Sequence, residues 1–129
     1  MEVQGESERL MHPELPSKED LLKLLSQEQF LKQIVDQLNK DLGATDLIRI
    51  PEEGDQSALI KASLRDHLVL LDRAPGNRLQ DLMYRVDVPS NQFHRILAAS
   101  AHEDLYDLLS DAILNREMQK VWFRLNYKG

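Results

Sequence analysis

Residues 101–127 read AHEDLYDLLSDAILNREMQKVWFRLNY, and the reading of this stretch decides the fold. At about 100° per residue, Leu105, Leu108, Leu109, Ala112 and Ile113 fall on one stripe of a helix. Leu114, Met118, Val121, Trp122 and Leu125 fall on a second stripe, about half a turn around the same cylinder. A helix packed on a single core needs only one stripe. Two opposed stripes predict that the halves bury against different things, the parent domain and a partner. A kink near Leu114-Asn115 would turn both stripes to one core, whereas a straight helix calls for the partner.

The segments before it also read as helices. Ser100-Ala101-His102-Glu103 has the pattern of a capping box at the start of the last helix. Upstream, Val88-Pro89-Ser90 marks a boundary: Pro89 holds Val88 extended, Ser90 offers an N-cap, and a helix carrying Phe93, Ile96 and Leu97 follows. Leu79, Leu82, Met83 and Val86 make a short amphipathic helix after the turn Pro75-Gly76-Asn77. Leu59, Ile60, Leu64, Leu68 and Leu71 share one face of another helix. Leu21, Leu24, Leu31, Val35, Leu38 and Leu42 keep helical spacing from an N-cap at Ser17 to a stop at Gly43. Ser26 with Gln29 offers an internal capping box there, but the spacing favours one helix.

Thr45–Asp55 is the least helical part. Asp46 to Ile50 reads as an extended segment ending at Pro51, with no second strand to pair with. Residues 1–16 lack periodicity, contain Pro13 and Pro16, and read as a flexible arm; residues 17–129 read as a single helical domain. The expected fold is all-α: a compact bundle of about five helices with short connections and a long C-terminal helix.

Composition narrows the function. The chain has 129 residues, 42% hydrophobic and 29% charged, enough for one domain with a real core. It has no cysteine, which removes disulfides, thiolate metal ligands and thiol nucleophiles and fits a cytoplasmic setting. Apolar runs such as Leu68–Leu71 are too short to span a bilayer, and Met1–Leu15 is too polar for a secretory signal, so no membrane association is expected. A formal net charge of −6 argues against nucleic acid or anionic lipid as a partner for the whole surface.

Motifs for chemistry are sparse. His12, His67, His94 and His102 are scattered, with no HExxH and no Glu-x-x-His pair. The glycines at positions 5, 43, 54, 76 and 129 form no phosphate loop, and no GxSxG occurs. The expectation is a non-enzyme with no cofactor, catalytic residue or metal site. One constellation stands out: Arg116, Lys120, Arg124 and Lys128 form a basic stripe interleaved with Trp122, Phe123 and Tyr127. It suits an acidic protein or a nucleic-acid backbone. However, Glu103, Asp107 and Asp111 occupy the first half of the same helix, and this sorting of charge also stabilises the helix dipole with no ligand. Trp122 near Arg116 and Lys120 has the composition of an interface anchor.

Two segments, Leu82 to Val88 (LMYRVDV) and Ile113 to Val121 (ILNREMQKV), resemble stretches that recur in a group of short, uncharacterised helical proteins of bacteria. The resemblance covers only these segments and implies a bacterial cytoplasmic protein, with no activity or cofactor. Within the first, Tyr84 and Val86 are expected to pack, and Arg85 and Asp87 to pair with neighbours. The favoured function is a helical protein–protein interaction or regulatory module. It is expected to act as a homodimer, or with another protein, through Leu114, Met118, Val121, Trp122 and Leu125. The alternatives are a nucleic-acid-associated protein using the basic stripe and a small-ligand-binding bundle or enzyme with a pocket between helices.

Overall fold

The computed structural model describes residues 17, 19, 20, 23, 27–100 and 104–126. The arm expected at 1–16 and the stripe residue Lys128 lie outside them. Among the described residues the protein is an all-α bundle of five helices: α1 (Glu28–Asp41), α2 (Gln56–Arg73), α3 (Arg78–Val86), α4 (Ser90–Ala99) and α5 (Leu105–Asn126). No described helix is long and apolar enough to cross a membrane. The long C-terminal helix α5 is the central element, with α2 packed along one part, α1 along another, and α3 and α4 beside them.

The main core joins Leu31, Val35 and Leu38 of α1 and Ile60, Leu64 and Leu68 of α2 to residues of the three later helices, with Leu82, Leu109 and Ile113 fully buried. These α1 and α2 positions recur three and four residues apart, so one stripe of each helix is removed from water. Leu59, placed on the α2 face by its spacing, is 44% exposed, next to Gly54 at the turn into the helix.

The single helix expected from Leu21 to Leu42 is interrupted. Gln27 is extended, at φ −85° and ψ 119°, and α1 starts afresh with its carbonyl accepting from Leu31 N at 3.0 Å. Periodicity alone does not register one extended residue inside a polar Ser-Gln-Glu-Gln run. Ser17 does accept from the Asp20 amide at 3.1 Å, as a capping hydroxyl should. At the other end, Gly43 (φ +76°) donates to Lys40 O, and Ala44 donates to Asn39 O, closing a Schellman turn that requires a left-handed residue.

Asp87 makes the same turn after α3 without being glycine. Its φ is 71°, its amide donates to Tyr84 O, and Val88 N donates to Met83 O. Two expected caps are displaced. Pro89, not Ser90, precedes α4, and Ser90 is its first helical residue. Ser100 ends α4 with its hydroxyl donating to Leu97 O at 2.7 Å, while Asp104 caps α5 by accepting from the Tyr106 and Asp107 amides. The acid wins because it sits one residue before the helix with two orphan N–H groups within reach.

The segment at residues 46–50 is non-helical, as expected, and forms no strand. Its missing partner is a side chain. Asn39, 4% exposed on α1, donates from Nδ2 to Ile48 O at 2.9 Å and accepts from Ile48 N at 2.8 Å. One amide side chain satisfies both main-chain groups of a buried residue, as a neighbouring strand would.

Candidate functional site

The last helix carries the candidate residues. Every fourth residue from Leu109 gives Leu109, Ile113, Glu117 and Val121, and all four are completely buried. Because four residues fall 40° beyond a full turn at about 100° each, this row winds around α5 as it advances. The continuous helix needs no kink for its buried face to change sides. Leu109 and Ile113 join the main core. Met118 and Val121 form a second cluster with Phe30 and Ile34 of α1, and Leu114 and Trp122 are half-buried against it. The partner expected for the second stripe is therefore, at Met118 and Val121, the chain's own α1. Trp122 lies at the rim, its ring edge-to-face with Phe123 at 5.5 Å, and Leu125 is 41% exposed.

The basic stripe is engaged within the molecule. Arg116 reaches the Asp87 carboxylate at 2.8 Å and its carbonyl at 3.1 Å. Lys120 donates to Asp41 Oδ2 at 2.7 Å, and Arg124 donates to Gln37 Oε1. The stripe stitches α5 to α1 and to the turn after α3. Earlier along α5, Lys61 of α2 bridges Asp107 and Asp111 at 2.9 and 3.0 Å, Arg65 pairs with Asp104, and the Tyr106 hydroxyl donates to Asp72 at 2.7 Å.

Glu117 is the residue that apolar spacing passes over. It occupies the place between Ile113 and Val121 where a hydrophobic side chain would be expected, and neither carboxyl oxygen has an aligned hydrogen-bond donor. The Lys120 ammonium lies 2.9 Å from Oε1 but directs its hydrogen bond to Asp41. Burial first, then the neighbouring Asp41 carboxylate, pushes the Glu117 carboxyl up to about 8; Lys120 pulls the other way and does not offset them. Near neutral pH the group is a carboxylic acid beside an Asp–Lys ion pair. Its signal in the sequence is a lone acid at the third place of an otherwise apolar row.

Of the surface concavities apart from this cluster, two bear on the residues singled out in the sequence. Beyond Trp122, a groove of about 420 Å³ runs between the start of α1 and the end of α5, with Phe30, Trp122 and Leu125 set among Gln27, Gln33 and Asn126. A second, of about 290 Å³, lies by the turn between α3 and α4, against Met83, Pro89 and Phe93. Tyr84 stands at its edge, 87% exposed and not packed, because it follows Met83 by one residue and so points away from the core face of α3.

Together the fold and the site define a small all-helical bundle whose long last helix buries a protonatable acid and ends at an uncharged groove. No protein-family model, curated protein or solved structure matches the chain.

Proposed function

We propose that the protein is a helical interaction module of the cytoplasm that self-associates through the end of α5. The observation that carries this is the groove around Trp122, Leu125 and Phe30, whose lining contains no charged residue. An aromatic anchor flanked by an exposed leucine and amide side chains has the make-up of an interface core. The surface offered is narrower than the full second stripe: Trp122 and Leu125, while Phe30 of α1, Met118 and Val121 serve as its packed base. Nucleic acid is a weaker reading, because Arg116, Lys120 and Arg124 already contact acceptors of their own chain.

Light scattering coupled to size exclusion, over a range of concentrations, tests this directly. The expected result is a dimer that Leu125→Asp converts to a monomer with unchanged helical circular dichroism. A wild-type chain that stays monomeric at high concentration overturns the reading.

A further inference from the structure

We propose that Asp41, Glu117 and Lys120 form a proton-operated latch between α1 and α5, closed while Glu117 carries its proton and loosened when the proton leaves. The three groups come from the last residue of α1 and from adjacent turns of α5. Glu117 is fully enclosed, while the Asp41 and Lys120 side chains keep 12% and 19% of their surface exposed. With Glu117 protonated, the cluster holds one carboxylate and one ammonium and is neutral. Without that proton, two carboxylates on different helices share one ammonium, and the Glu117 charge sits where water does not reach it and charge is poorly tolerated.

The surrounding cations are already engaged. From α3, Arg85 donates to the main-chain carbonyl of Asp41 at 2.7 Å. On α5 itself, Arg116 is held by Asp87 and Arg124 by Gln37. From α2, Lys61 and Arg65 pair with Asp107, Asp111 and Asp104 in the earlier turns of α5. Gln37 is directed at Asp41, with long contacts of 3.3 and 3.4 Å, and not at Glu117. The available relief is for the last turn of α1 to move off α5 and admit water. Leu38 lies in that turn and belongs to the main core, so this motion disturbs the packing of α1 as well.

The direction of the response follows from linkage. Closed, Glu117 keeps its proton to about pH 8; opened to water it returns towards its ordinary value of 4.5. Opening at neutral pH therefore releases a proton, and the opening constant rises up to tenfold per pH unit until about pH 8, then levels.

Hydrogen exchange of the α1 amides, corrected for intrinsic base catalysis, measures that constant. The expected result is this rise and plateau in the wild-type protein and a flat profile in Glu117→Gln, which mimics the protonated acid. A flat wild-type profile, or the same slope in Glu117→Gln, overturns the latch. If Glu117→Gln does not fold, the ¹³C resonance of the Glu117 carboxyl in the wild-type chain decides: a titration midpoint above pH 7 supports the latch and one below it overturns it.

Discussion

Ser110 lies one turn before Leu114 with its side chain wholly enclosed and its hydroxyl without a hydrogen-bond partner. Burying an unpaired hydroxyl costs on the order of 1–3 kcal/mol, and serine is a poorer helix former than alanine. Ser110→Ala should therefore raise stability by about 1 kcal/mol, seen as an increase of roughly 3–5 °C in Tm for a domain of this size. An unchanged or lower Tm would mean that the hydroxyl is satisfied after all. Ser110 and Glu117 share the property that made them illegible in the sequence. A periodicity reading sorts side chains by type, so a polar residue on the buried row is counted with the solvent face. Omitting Glu117 cut the row Leu109, Ile113, Glu117, Val121 in two, and a winding face looked like two opposed stripes. Tyr84 is the mirror case, an aromatic expected inside and found outside.

Among the elements, the helices themselves were legible because their apolar spacing is set by the core each one faces. Ile60, Leu64 and Leu68 on α2, and Leu79, Leu82, Met83 and Val86 on α3, are buried as that spacing requires. Their ends were read less well, since a cap depends on which of several polar residues reaches the orphan amides. Asp104, not Ser100, meets that condition for α5. The attachment of residues 46–50 was not legible at all, because it rests on Asn39, nine residues before Ile48 and on another element. That amide makes a sharp prediction. Asn39→Ala leaves the buried Ile48 N–H and C=O unpaired, and at about 1–3 kcal/mol for each unsatisfied group the loss should be roughly 2–6 kcal/mol. Asn39→Asp keeps the acceptor for Ile48 N but sets a carboxylate against Ile48 O, so it should be no milder. Chemical denaturation gives the answer: a loss below about 0.5 kcal/mol for Asn39→Ala would show that water replaces the amide.

For the whole molecule, the buried acid shapes how stability depends on pH. The unfolded chain gives up the Glu117 proton near its ordinary 4.5 and the native state holds it to about 8, so between those values folding takes up a proton and stability falls as pH rises. Two other groups bend the curve in the opposite sense. Burial lowers the His67 pKa below its ordinary 6.5, so ionising that imidazole disfavours the native state at acid pH, and its effect fades as the pH rises past 6.5. Asp104 is held below its usual value of 3.8 by the Arg65 guanidinium and the α5 amides, so its contribution disappears only in strong acid. Above pH 6.5 the His67 opposition dies away and Asp104 offers none. The steepest loss should therefore fall between about pH 6.5 and 8, at up to about 1.4 kcal/mol per pH unit, with a plateau beyond. Urea midpoints across that interval measure the slope, and Glu117→Gln should remove it while keeping the acidic side of the curve. A wild-type midpoint that holds steady or climbs from pH 6.5 to 8 would mean that Glu117 is ionised in the native state and that Lys120, despite its hydrogen bond to Asp41, neutralises both carboxylates.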